Sequence, residues 1–256
     1  MTSIDEFKKN AKSTWADFAT MENLTGTAAP NLVKFAGITS KHKVLDVACG
    51  SGVVALTAAK EGADVVGIDI TPQLIERAKE NAQLSNLNKV EFYEDDAEKL
   101  PFKDGSFDIV VSQFGHMFAP RPEVALQEMI RVLAPNGTIA FATWPPELFM
   151  GRFFKINAQF GPTLPEGMES PVKWGNTDVV YKRLSPFLNN IIFDRNRIFL
   201  QGLSVAHIRQ TFEKGAGPLK KVVADLDNQP SKLRELRLIF NEVISDYFHD
   251  NQLRLD

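Results

Sequence analysis

A single cysteine, Cys49, stands in 256 residues, so no disulfide can form within the chain. Such usage fits a reducing, cytoplasmic compartment, because disulfides accumulate in oxidising ones. No apolar run approaches the roughly 18 residues of a membrane span. The opening stretch MTSIDEFKKNAKSTW also lacks the apolar centre of a secretion signal. Positive charge is not in excess either. Lys+Arg number 29 against 32 for Asp+Glu, a net charge of −3, and this balance argues against a nucleic-acid partner. Repeats and low-complexity segments are absent, and His, Cys and acidic residues never recur at metal-ligand spacing, so no metal is expected. What remains is an ordinary globular mixture, 44% hydrophobic and 24% charged, of a length for one large domain.

The pattern along the chain is informative. Ser3 and Glu6 form a capping box that opens a helix carrying Phe7, Trp15 and Phe18. A second helix is expected over 27–37, with Gly37 as its stop. From Lys43 short apolar runs alternate with helical periodicity: KVLDVA, DVVGID, KVEFYEDD, FDIVVSQ and NGTIAFATW, the last begun by an Asn-Gly turn. Thr71 and Pro72 suit the N-cap and first position of the helix after the second run. Strands alternating with helices predict an α/β fold, a Rossmann-like, doubly wound, mostly parallel sheet with helices on both faces. Three regions follow: helices over 1–42, a core of alternating strands and helices over 43–144, and an insertion, sixth strand and terminal helices over 145–256. The stretch 145–176 is irregular, with five prolines and a helical insertion of large apolar residues. A sixth strand is expected over 190–200 and an amphipathic helix over 231–248.

Chemistry concentrates in VLDVACGSG, residues 44–52. A strand running into a glycine turn and a helix start places backbone N–H groups against a ligand. Gly50 and Gly52 tolerate positive φ and close approach there. Asp69 ends the next strand, where a carboxylate can accept both hydroxyls of a ribose. GSGVVA also satisfies the dinucleotide pattern G-x-G-x-x-A, so an NAD-dependent oxidoreductase is one reading. Asp46 argues against it, since a carboxylate ahead of the glycines repels a pyrophosphate but suits an ammonium. Asp95 and Asp96 end the third strand, suited to an adenine amino group. Acidic strand ends at Asp46, Asp69 and Asp96 match S-adenosylmethionine, which has a sulfonium, an ammonium and no phosphate.

VLDVACGSG, GIDITPQLIERAKENA, EDDAEKLPFKDGSFDIV and EMIRVLAPNGTIAFATW resemble successive motifs of the class I methyltransferases, nearest the ubiquinone/menaquinone-biosynthesis branch. The resemblance covers about 44–144 and fades where the acceptor is chosen. It implies that 43–144 is the cofactor-binding core and that the helical lid over 1–42 and the lid or insertion within 145–256 close over it. It implies S-adenosylmethionine as methyl donor and S-adenosylhomocysteine as product. It places Asp46, Ala48, Gly50 and Gly52 on the methionine side, Asp69 on the ribose and Ile70 against adenine. Asp96 and Ala97 would face the adenine edge, with Asp95 as the alternative acid, and Ser112 and Gln113 would lie near the sulfonium. Cys49 reads as packing.

His116, beyond the fourth strand, is the candidate general base, while His42, His207 and His249 read as surface residues. Trp15, Phe18, Trp144, Phe149, Phe153 and Trp174 are candidates for a hydrophobic pocket that takes a small, apolar or aromatic acceptor. A non-catalytic S-adenosylmethionine-binding module is the competing class. The resemblance also implies a seventh, antiparallel strand, yet only LRL at 253–255 alternates beyond Leu200. A missing or stub-like seventh strand is therefore expected, as though the chain were shortened. The open edge would be repaired by the sixth strand, by a helix, or by a second copy in a homodimer.

Overall fold

The computed structural model describes residues 4–165 and 167–256. Helix α1 (Ile4–Trp15) and helix α2 (Glu22–Phe35) precede the sheet. Ser3, the expected cap of α1, lies outside the described residues. Helix α2 starts five residues before the expected Thr27 and carries Pro30 in its interior. Gly37 follows its end at φ +66°.

Strand β1 (Lys43–Val47), helix α3 (Val53–Lys60), strand β2 (Asp64–Asp69), helix α4 (Pro72–Leu84) and strand β3 (Val90–Glu94) form one wing. Strand β4 (Phe107–Gln113), helix α5 (Pro122–Val132) and strand β5 (Leu133–Ala142) form the other. The strand order is β3-β2-β1-β4-β5, all parallel. Alternation along β1 explains the two covered faces. Val44 joins Val54, Ala58, Phe92 and Ile109 on one side. Leu45 and Val47 join Phe107, Met129 and Val132 on the other. Asn136-Gly137 does not start β5. The strand begins at Leu133, and Asn136 at φ +65° sits where the register slips between Phe107 and Ile109. That is bulge chemistry in place of a turn.

Beyond β5 come helix α6 (Phe149–Phe160), helix α7 (Thr177–Leu184), strand β6 (Ile198–Gln201), helix α8 (Val205–Gly215), helix α9 (Gly217–Asp225) and helix α10 (Pro230–Ser245). Strands β7 (Phe248–His249) and β8 (Gln252–Leu255) close the described chain. The expected sixth strand shrinks to its last residues. Asp194 accepts from the N–H of Arg195 and Asn196 from that of Arg197, so local bonds compete with a ladder before Ile198. The stub at the chain end exists as β8, antiparallel to β6 and β7. It does not reach β5, whose ladder partner among the described residues is β4 alone. A third apolar cluster, including Phe149, Phe153, Phe212, Leu236, Phe240 and Leu253, binds the last helices and β8 to the domain. No helix among the described residues is long and apolar enough to cross a membrane.

Candidate active site

Strand order reverses between β1 and β4, and a parallel sheet opens a crevice at such a point. A cavity of about 180 Å³ lies there, roofed by Phe7, Lys8, Ala11 and Trp15 of α1. Its floor is the turn after β1. Ala48, Gly50 and Gly52 take φ of +55°, +55° and +83°, which folds the chain back into α3. The two glycines serve different neighbours. A Cβ on Gly50 would meet nothing within 4 Å, because that face borders the cavity. A Cβ on Gly52 would fall 2.8 Å from the Phe92 ring, so Gly52 permits the helix to pack on β3.

Asp69 binds this turn to the next one. Its Oδ2 accepts from Gly50 N–H and its Oδ1 from Thr71 N–H, both at 2.9 Å. Burial raises its pKa against those two bonds. Thr71 stands at the N-cap of α4, but its side chain makes no capping bond. Asp46 also points inward. It accepts from Ala55 N–H at 3.0 Å, holding the start of α3, and burial pushes its pKa up to about 8. Burial likewise pushes the Cys49 thiol pKa upward.

On the β3 side, Asp95, Asp96 and Ala97 line the cavity beside Ile70. Lys8 reaches down from α1 to Asp96 at 2.6 Å and to buried Glu98, which Arg121 also holds at 2.7 Å. On the β4 side, Gln113 donates to Thr25 O at 2.8 Å, while its Oε1 is buried without a partner. Ser112 donates to Val47 O at 2.6 Å and accepts from His116 N–H at 3.1 Å. It thus fixes the short helical turn His116–Phe118 against the sheet.

His116 borders the cavity yet is only 2% exposed. Its ring stacks on Phe141 at 4.3 Å and meets the Trp174 edge at 4.6 Å. Neither ring nitrogen has a partner. Burial, with the Arg183 charge adding to it, lowers its pKa to about 3. The remaining wall is aromatic, formed by Trp15, Phe18, Phe114, Phe118, Trp144, Phe153 and Phe154.

Several sequence candidates fall elsewhere. Ala48, Gly50, Asp69, Ile70, Asp95, Asp96, Ala97, Gln113 and His116 line the cavity with Trp15, Phe18, Trp144 and Phe153. Asp46, Gly52 and Ser112 stand behind its wall and shape the turns, for the reasons given above. Phe149 is fully buried against Phe212, Phe240 and Tyr247. Trp174 faces a separate cavity bordered by Phe141 and Ile191. Sequence reasoning missed Lys8, Thr25, Phe118, Met150, Phe212 and Pro218. Phe118 lies two residues beyond His116 and was within reach of it. Phe212 and Pro218 arrive from α8 and α9, and no local pattern marks them.

The lining suits S-adenosylmethionine. Gly50 leaves open space where a side chain would intrude, and the unpaired Gln113 Oε1 can accept from an ammonium or amine. Three carboxylates, Asp69, Asp95 and Asp96, face the cavity against one cation, Lys8, which Asp96 already pairs. This excess of acid disfavours a pyrophosphate.

A methyltransferase-domain family model matches residues 38–167. An uncharacterized protein of Mycobacterium tuberculosis is 33% identical over 244 residues, 94% of this chain and 89% of its own. The demethylmenaquinone methyltransferase of Thermus thermophilus is 42% identical over 106 residues, 41% of this chain and 48% of its own. Among solved structures, the YcgJ protein of Bacillus subtilis shares the fold at a TM-score of 0.61 and 21% identity, over 90% of this chain and 93% of its own. An S-adenosylmethionine-dependent methyltransferase of Aquifex aeolicus shares it at 0.50 and 22% identity, over 76% and 92%. The chain belongs to the methyltransferase-domain family and is a class I methyltransferase that uses S-adenosylmethionine.

Proposed function

We propose that the acceptor is a small, largely apolar or aromatic organic molecule, methylated by in-line transfer. One observation carries this reading: the cavity is acidic at the β2 and β3 ends and aromatic beyond β4. An apolar acceptor gains about 1.5–3 kcal/mol for each buried aliphatic- or aromatic-sized group. The demethylmenaquinone methyltransferase relative and a tocopherol O-methyltransferase of Arabidopsis thaliana, 37% identical over 44% of this chain, support an acceptor of that kind.

The bound cosubstrate supplies an electrophilic methyl group on a sulfonium. The residues around it position and exclude. Asp69, already fixed by two backbone N–H groups, presents its remaining lone pairs to the ribose hydroxyls. Asp95 or Asp96 accepts from the adenine amino group, and Ile70 covers its face. Gln113 Oε1 accepts from the methionine end. Trp15 and Phe18 close the roof, while Phe118, Trp144, Phe153 and Phe154 hold the acceptor and keep water out. Alignment of this sort can supply about 7–11 kcal/mol of rate enhancement.

The test has two stages. Calorimetry should detect S-adenosylhomocysteine. Mass spectrometry should then detect methyl transfer to members of a panel of quinols, phenols and aromatic amines. Transfer confined to RNA or protein substrates would overturn the small-molecule reading.

A further inference from the structure

His116 is a buried side chain with no hydrogen-bond partner on either ring nitrogen among the described residues. Both ring nitrogens are closed off from solvent and unbonded, yet the ring borders the acceptor end of the cavity. A general base of this type ordinarily has a carboxylate or carbonyl on its far nitrogen to stabilise the imidazolium. Here the ring meets Phe141 and Trp174 instead. The charged group that bears on it is Arg183 of α7, whose guanidinium lies 4.7 Å over the Trp174 ring. Arg183 is held by Glu123 at 3.1 Å and by Glu169. Two further donors in this cluster, Trp174 Nε1 and Arg183 Nη1, are also buried without partners, and neither residue lines the cavity. The acids of the cavity sit at the opposite end, on β2 and after β3.

We propose that His116 is a neutral hydrogen-bonding post for an acceptor oxygen, and that this oxygen enters as an anion, making the substrate an acidic phenol or enol. The inference rests on the small-molecule reading above and replaces the base expected from sequence. An oxyanion needs no base. The phenol or enol gives its proton to water before binding, the resulting oxyanion's lone pair makes the new C–O bond, and the S–C pair stays on sulfur. The anionic and sulfonium charges cancel. His116 donates one N–H to the oxygen throughout, with Arg183 supplying positive potential from behind. The unbonded ring nitrogens of His116, the Arg183 guanidinium behind Trp174 and the absence, among the described residues, of a carboxylate from this end of the cavity lining favour an anionic oxygen over an amine.

The test uses the full chain saturated with S-adenosylhomocysteine and 4-nitrophenol as probe, with 4-nitroanisole as control. Bound 4-nitrophenol should show the phenolate spectrum, with ionisation favoured about tenfold or more over free probe, the effect of one nearby positive group. His116→Leu should abolish most of that shift, while His116→Asn, which retains a donor, should restore binding to within about threefold. Carbon–proton NMR of the imidazole should show no His116 titration above pH 5. Circular dichroism confirms that both variants fold. A His116 that titrates near its ordinary value, a probe bound as neutral phenol, no binding of the probe, or equal behaviour of His116→Leu each overturns the inference. Failure to bind S-adenosylhomocysteine overturns instead the reading on which it rests.

Discussion

Asp69 Oδ2 accepts from Gly50 N–H at 2.9 Å across the gap between the β1 and β2 turns. One carboxylate therefore sets the floor of the cavity and also faces it. Removing it costs twice. In Asp69→Ala, the N–H groups of Gly50 and Thr71 lose their acceptor, and in the proposed binding mode the ribose loses its own. Affinity for S-adenosylhomocysteine should fall by about 1.5–3 kcal/mol, the scale of hydrogen bonds to a charged group. Calorimetry measures this, and a change under about twofold would remove Asp69 from the site.

The two glycines of the same turn should separate cleanly. Gly50 faces open cavity, so Gly50→Val should abolish S-adenosylhomocysteine binding, although its φ of +55° adds some strain. Gly52 faces Phe92, so Gly52→Ala should act first on stability, through both the clash and the φ of +83°. A loss of at least about 1 kcal/mol is expected, given the cost of αL backbone for a residue with a Cβ. Urea denaturation with parallel calorimetry tells them apart. Equal loss of binding in both, at equal stability, would contradict the geometry.

How far the sequence could be read follows from what each signal encodes. The parallel sheet, its order of strands and helices and the glycine turn were legible because they rest on local periodicity and backbone chemistry. The burial of Asp46 was not. A carboxylate at a strand end reads as a ligand contact, and only the register of α3 on β1 turns it toward Ala55 N–H. Ser112 is a similar case, a hydroxyl that organises the His116 turn from behind the wall. Phe149 and Phe153, four residues apart on α6, share one helical face but divide between core and cavity. Both rings pack on Phe212 of α8 and Phe240 of α10, and Phe149 is further closed off by Tyr247, all of which arrive from far along the chain.

Asp46 gives a pH prediction with a definite sign. Its pKa rises from 3.8 unfolded to about 8 folded, so between those values the folded chain holds a proton that the unfolded chain has lost. Its contribution to stability is present below pH 3.8 and lost as pH rises toward 8. Buried Asp69 acts in the same direction. His116 acts in the opposite one. It falls from 6.5 to about 3, so its contribution is lost as pH drops through that window. Above pH 6.5 the carboxylates alone should govern, and the melting temperature should decline toward pH 8. In Asp46→Asn the amide oxygen still accepts from Ala55 N–H, and the decline should flatten. Its affinity for S-adenosylhomocysteine should stay within about threefold of the original, less than the loss of one net hydrogen bond. A variant with an unchanged pH slope, or with cosubstrate binding lost, would show that Asp46 acts elsewhere.

The last prediction separates core from cavity on helix α6. Phe149 is fully buried, with ring centroids of Phe212 and Tyr247 each 5.6 Å away. Phe154 is half-buried, lines the cavity and touches Phe118 at 5.7 Å. Phe149→Ala should therefore cost about 3–5 kcal/mol of stability, the range for an aromatic core truncation. A chain of this length loses roughly 2–4 °C of Tm per kcal/mol, so the drop should be plain in a thermal melt. Phe154→Ala leaves a gap open to the cavity and should cost less than half as much. Its effect should appear in kcat/KM for an apolar acceptor, lowered about 10–150-fold by the loss of about 1.5–3 kcal/mol of aromatic contact. Affinity for S-adenosylhomocysteine should be unchanged, because Phe154 belongs to the aromatic wall to which the proposed function assigns the acceptor. The reverse pattern, with Phe154→Ala destabilised and Phe149→Ala impaired only in turnover, would place the acceptor on the other face of α6.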